Sequence, residues 1–182
     1  YFLMWAVAGA VAIPAATLLA AKSGFAWRKC LAASSLLGLA LLVGAKLMFL
    51  VETVMFPSDD PFPAVQSDLW NLATHGFRNP GGIMLLLAML PLVARGFGLD
   101  TLRFADATVP AAGLAIFFYR LGCFLNGCCF GAIREDSMFA VSFPPTSRVF
   151  QWQVRERLLT ELGPSLPVIP LQLYHAMLGL GL

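Results

Sequence analysis

The chain alternates long apolar runs with short polar intervals, and the runs set its architecture. Residues 1–21 carry no charge. At about 1.5 Å of rise per residue, a helix of that length crosses a hydrocarbon layer roughly 30 Å thick. Pro14 falls inside this run, which a helix in lipid tolerates when neighbours satisfy the freed carbonyl. Lys22, Arg28 and Lys29 follow at once, and such a short basic loop belongs on the cytoplasmic side, so the first residues face outward. Residues 31–51 return across the membrane, with Gly38 and Gly44 allowing close helix approach and Lys46 near the outer end, placed to snorkel or to bind.

Residues 52–79 set Glu52, Asp59, Asp60 and Asp68 against Arg78 among Pro57, Pro61 and Pro63, which predicts an external loop with interfacial aromatics such as Phe62 and Trp70. Residues 81–94 are apolar but short, and they span only with tilt or local thinning of the bilayer. After a turn bracketed by Arg95 and Arg103, residues 102–130 run outward carrying Asp106, Arg120 and Asn126. From 131 to 168 the chain becomes charged and rich in proline, predicting an external head with short strands around 139–143, and a last helix starts near Pro170. The fold expected is an all-α polytopic membrane protein with about five transmembrane helices. Residues 1–182 form one transmembrane domain into which 131–168 is inserted as the head. The opening Tyr1 and the interrupted run Leu178-Gly-Leu-Gly-Leu182 read as the ends of a piece of a longer chain. The first run is too long for a signal peptide and lacks a cleavage site followed by a soluble domain.

Composition agrees with this pattern: 59% of residues are hydrophobic and 12% charged, and the mean hydropathy is +0.78, well outside the balance of soluble domains. A net charge of +2 without any basic run interleaved with aromatics excludes nucleic acid as a partner. Cys30, Cys123, Cys128 and Cys129 do not make the paired framework of a small secreted domain.

The densest chemistry lies in Tyr119-Arg-Leu-Gly-Cys-Phe-Leu-Asn-Gly-Cys-Cys-Phe-Gly131, at the outer end of a spanning helix. Arg120 and Cys123 share a helical face, and Asn126 lies one turn further along it. A guanidinium is a planar fork of donors that suits phosphate oxygens, so a lipid phosphodiester is the partner this position predicts. Pairing of Arg120 with Asp106 is disfavoured, because fourteen residues of straight helix separate them by roughly 21 Å. Cys123, Cys128 and Cys129 lack a second pair of ligands at zinc spacing, and His75 and His175 are distant in sequence. No metal is therefore the expectation, with the cysteines read as small buried side chains beside Gly122 and Gly127, and a thiol or metal site using Cys123, Cys128 and Cys129 stands as the third-ranked alternative. Gly81-Gly82 either opens a helix N-terminus to an anionic or polar ligand or lets two helices pack closely. His75, just before it, becomes a base if its loop folds over the site.

Together these segments resemble the bacterial phosphatidylglycerol:prolipoprotein diacylglyceryl transferase family. Tyr1-Phe-Leu-Met-Trp is similar to its first-helix Tyr-Gly-Leu-Met-Tyr, and Gly44-Ala-Lys-Leu-Met-Phe to its Gly-Ala-Arg-Leu-Gly-Tyr. Gly81-Gly-Ile-Met resembles Gly-Gly-Leu-Ile, and Ala105-Asp-Ala-Thr-Val-Pro110 resembles Ala-Asp-hydrophobic-Pro. Arg120-Leu-Gly-Cys-Phe-Leu-Asn-Gly fits the signature Arg-hydrophobic-Gly-Asn-Phe-hydrophobic-Asn-Gly, and Pro170-Leu-Gln-Leu-Tyr174 fits Pro-Ser-Gln-Leu-Tyr.

The resemblance implies transfer of a diacylglyceryl group from phosphatidylglycerol to the lipobox cysteine of a prolipoprotein signal peptide, in the bacterial cytoplasmic (inner) membrane with the site toward the outer face, and with no cofactor. It implies catalytic roles for Arg120, Asn126 and Tyr1, with His75 as a candidate base. Gly81, Gly82, Cys123, Gly131, Gln172, Tyr174 and His175 would line the substrate site. Departures from the family pattern fall at Pro80 and Ile169, in place of histidines, at Cys123, in place of asparagine, and at Cys128 and His175, in place of acids. They raise an alternative, a paralogue that binds phospholipid or lipoprotein without this chemistry.

Overall fold

A computed structural model describes residues 2–55, 78–159 and 163–182. Its helices are α1 (Phe2–Lys22), α2 (Trp27–Met55), α3 (Asn79–Gly96), α4 (Thr101–Asn126), α5 (Arg148–Arg155) and α6 (Leu171–Leu180). The first four are long and apolar enough to cross a membrane, with mean hydropathies of 2.0, 2.1, 1.3 and 1.5. The chain is a multi-pass, all-helical membrane protein. The apolar run expected over 81–94 becomes an 18-residue helix because it begins at Asn79-Pro80, where a proline's missing donor costs the first turn nothing.

Two expectations differ from what the structure shows. Among the described residues four helices meet the length and hydropathy of a span, so the count of about five is not confirmed; α6 contributes 10 residues, Leu171–Leu180. No regular strand forms around 139–143 among the described residues, where Val141 and Ile133 instead make isolated antiparallel bridges to Val168. Pro144, Pro145, Pro164, Pro167 and Pro170 remove the donors that a longer ladder would need.

The chain divides into two compact units, Ile13–Val109 and a second made of Tyr1–Ala12 with Pro110–Leu182. In the first, the buried set is Ala20, Cys30, Ala33, Leu37, Ala94, Leu99 and Phe104, while Leu18, Leu39, Leu47, Leu87 and Leu92 are exposed. Small residues inside and leucines outside is the arrangement of helices solvated by lipid, where burying leucine gains little and close backbone approach gains much. The α2–α3 contact shows this. A Cβ added at Gly82 would stand 2.6 Å from the Leu41 carbonyl oxygen, and one at Gly81 would stand 2.5 Å from that of Gly44. The Arg78 N–H donates to the Ala45 carbonyl at 2.9 Å, and its guanidinium pairs with Glu52. At the other end of this unit the α1–α2 and α3–α4 turns meet, with Arg103 donating to the Ser23 carbonyl at 2.7 Å and lying over the Phe25 ring. Lys22, Arg28, Lys29 and Arg95 belong to the same end of their helices.

In the second unit, the Trp5 and Tyr119 rings meet edge to face at 5.1 Å. The backbones of α4 and α6 touch through Gly113 and Gly179, where a Cβ on Gly179 would come within 2.8 Å of the Gly113 carbonyl oxygen. A small apolar core of Phe143, Val149 and Val168, with Phe124 and Phe130 against it, seats the 131–168 segment on the end of α4. Helix α5 starts at Ser147, whose hydroxyl accepts from the Phe150 N–H. Gln153, fully buried, holds the returning chain by accepting from the Leu166 N–H at 2.8 Å and donating to the Leu166 carbonyl at 3.2 Å.

Candidate functional site

The site is built where α4 stops. Gly127 takes a φ of 63°, its N–H bonds the Phe124 carbonyl and the Cys128 N–H bonds the Cys123 carbonyl, which is the paired-bond termination that favours glycine just past a helix end. The turn has no room for a side chain: a Cβ at Gly127 would lie 2.7 Å from the Ser147 Cβ. Because Cys128 folds back over the last turn, its sulfur returns to Cys123. Cys129 then adopts a φ of 58°, a left-handed conformation that costs a non-glycine residue about 1 kcal/mol or more and tends to occur at functional positions. The three Sγ atoms lie within 4.8 Å of one another. Cys123 is buried, Cys128 half-buried and Cys129 exposed, and all three are free thiols. Sequence spacing did not foretell this cluster, since the turn rather than a ligand repeat gathers it.

Of the three thiols, that of Cys129 is the one held toward its thiolate. The Asn126 side chain hydrogen-bonds the Cys128 thiol. Cys129 is held well below the ordinary thiol range, first by the side chains of Cys123 and then Cys128 hydrogen-bonding to its sulfur, and further by the positive charge of Arg120. Arg120 is half-buried, with its guanidinium 5.5 Å from the Tyr119 ring centroid. Among the described residues no carboxylate pairs with it, leaving its fork of donors for an anion.

Helix α6 supplies the facing wall. Gln172 is fully buried and its Nε2 donates to the Cys128 carbonyl at 2.6 Å. Its Oε1 is a buried acceptor without a partner, as is the Nδ1 of His175, one turn along the same face. Buried polar atoms are ordinarily satisfied, so two orphans beside one thiol cluster mark a place suited to a polar ligand. Gly131 anchors this wall by donating to the Ile169 carbonyl at 2.8 Å. A Cβ there would come within 3.0 Å of that same oxygen. Tyr174 is 43% exposed on α6.

Of the residues singled out in the sequence, Arg120, Cys123, Asn126, Gly131, Gln172, Tyr174 and His175 all lie in the unit containing 110–182. Gly81 and Gly82 belong to the other unit, where they meet the backbone and side chains of α2. Tyr1 and His75 lie outside the described residues. Cys128 and Cys129, read from the sequence as apolar fillers, join the site through their sulfurs.

The family model for prolipoprotein diacylglyceryl transferase matches residues 1–182. The chain belongs to this family. Among its relatives, a phosphatidylglycerol–prolipoprotein diacylglyceryl transferase of Caulobacter vibrioides (strain NA1000 / CB15N) is 31% identical over 142 residues, covering 77% of this chain and 45% of that protein. That of Clostridium tetani is 33% identical over 90 residues, 50% of this chain and 34% of the relative. A second-numbered transferase of Clostridium perfringens is 27% identical over 142 residues, 78% of this chain and 48% of the relative. The matched region therefore spans less than half the length of these relatives.

Proposed function

We propose that this chain forms part of a membrane-embedded transferase that moves the diacylglyceryl group of phosphatidylglycerol to the lipobox cysteine thiol of a prolipoprotein signal peptide. Family membership supports it, together with the Arg120 guanidinium near the end of α4, which pairs with no carboxylate among the described residues. In the reaction a thiolate attacks the diacylglyceryl carbon bonded to phosphate. A C–S bond forms, the C–O bond breaks with its electron pair leaving on glycerol phosphate, and the thiol proton passes to a base. Arg120 would hold the phosphate and stabilise the charge that grows on the leaving oxygen. Asn126 and Gln172 fix the turn opposite it by bonding Cys128. His175 is a candidate proton acceptor, its Nδ1 being without a partner; His75 is the other candidate base, from its place before Gly81, and Tyr1 is assigned by resemblance.

The orientation follows from the basic end of the 13–109 unit. Lys22, Arg28, Lys29, Arg95 and Arg103 stand at the α1–α2 and α3–α4 turns, which the positive-inside preference puts in the cytoplasm. Helix α4 starts there at Thr101, so its Asn126 end faces the outer side of a bacterial cytoplasmic membrane.

The substitutions Pro80, Cys123, Cys128 and Ile169 favour one second reading, a paralogue that binds phospholipid or lipoprotein without turnover. The two separate in one assay. Full-length protein in nanodiscs with phosphatidylglycerol and a lipobox peptide yields a thioether-linked diacylglyceryl peptide if the transferase reading holds. Lipid retained by Arg120 without any product supports the second.

A further inference from the structure

We propose that Cys123, Cys128 and Cys129 form a three-thiolate site for a soft divalent cation such as zinc, with its fourth coordination position open on the Cys129 side. Tetrahedral thiolates at the usual zinc–sulfur length of 2.3 Å stand about 3.8 Å apart, and the three sulfurs already lie within 4.8 Å of one another. The sulfurs are thus within about 1 Å of the separations such a site needs. Soft thiolates select zinc over the hard cations that oxygen ligands prefer. The backbone is specialised for the arrangement. The Gly127 turn returns Cys128 to Cys123, and Cys129, with its left-handed φ, brings its sulfur within 4.8 Å of the other two.

A second observation points to a ligand independently of the sulfurs. Gln172 is fully buried and bonded to the Cys128 carbonyl, yet its Oε1 and the Nδ1 of His175 lack partners. Metal-binding turns typically carry such polar groups beside the ligands, where they bond the ligands or what the metal binds. His175 is not close enough to join the cluster of mutually adjacent ligand atoms. A three-ligand metal with a vacant position is the form that catalytic zinc takes, whereas structural zinc is closed by four ligands.

Resting on the transferase reading above, the occupant of that vacancy is the acceptor thiol. A thiol that coordinates such a cation loses its proton outright, which supplies the thiolate at the helix end where Arg120 holds the phosphate. His175, on α6 with an unpartnered Nδ1, is the candidate to take the proton. The metal stays divalent throughout, so no oxidant or reductant is required.

The test uses purified, reduced and chelator-stripped protein in lipid nanodiscs. Titration with zinc chloride should load one ion per chain, and cobalt(II) in its place should give sulfur-to-metal charge-transfer bands in the near ultraviolet. Cys123→Ser, Cys128→Ser and Cys129→Ser should each lose them, while Cys30→Ser, in the 13–109 unit, should retain them. Should a serine variant fail to fold, the unaltered protein still decides. Zinc must protect these three cysteines from alkylation, read residue by residue in a mass spectrometer. Failure of zinc to bind, or equal alkylation with and without it, overturns the site. A cysteine lipobox peptide should shift the cobalt bands and its serine counterpart should not. Unchanged bands with bound cobalt overturn the acceptor role. Product formation measured on the same sample keeps these outcomes distinct from failure of the transferase reading itself.

Discussion

Arg120 and Gln172 carry the site through different physics. Arg120 offers a charged, planar donor array, and its loss removes stabilisation that matters only as charge moves onto the leaving phosphate. Arg120→Ala is expected to lower diacylglyceryl transfer by about 10²- to 10³-fold, read as product per minute at saturating phosphatidylglycerol. Arg120→Lys should recover only part, since an ammonium keeps the charge but not the fork. Gln172 acts by position: its amide is buried against the Cys128 carbonyl. Gln172→Leu strands that carbonyl and should destabilise the fold by about 1–3 kcal/mol, seen as a lower melting temperature in detergent. The role of Gln172 was legible in the sequence only through resemblance, because nothing local in Pro170-Leu-Gln-Leu-Tyr174 says which carbonyl the amide meets. Arg120 was legible from chemistry alone, since an ionisable group in an apolar run demands an explanation.

Among the elements, the helices were legible and their contacts were not. Apolar length and the basic residues at Lys22 to Lys29 located α1 and α2, and glycine at 44 and 81–82 allowed two readings. In the structure these glycines face the α2–α3 contact, where Gly82 has no room for a Cβ against the Leu41 carbonyl. Gly82→Leu should therefore separate α2 from α3, lowering the yield of folded protein in detergent and raising trypsin cleavage at Arg95; unchanged proteolysis would mean the contact is not needed. The strands expected around 139–143 failed for a readable reason: alternation of Phe139, Val141 and Phe143 suggested a ladder, but the prolines on both sides limit it to single bridges. The three cysteines were grouped from the sequence only as the last-ranked alternative, because their approach depends on a left-handed turn at Gly127 that spacing alone does not encode.

For the whole molecule, the account makes a statement about sides. In the proposed topology the basic turns of the 13–109 unit face the cytoplasm and the end of α4 faces outward. A membrane-impermeant maleimide added to intact, chelator-treated spheroplasts should label Cys129, the exposed thiol of the cluster, and leave buried Cys30 untouched until the membrane is opened and the protein unfolded. Labelling of Cys129 only after the membrane is permeabilised would invert the topology and place the site on the wrong face for a secreted acceptor.

The central claim is that this family member transfers a lipid group to a thiol. Full-length protein in nanodiscs of phosphatidylglycerol should convert a lipobox peptide to its thioether-linked diacylglyceryl form, identified by mass, with release of one glycerol phosphate per peptide and no conversion of the serine peptide. Folded protein that retains phosphatidylglycerol yet forms no thioether would contradict it.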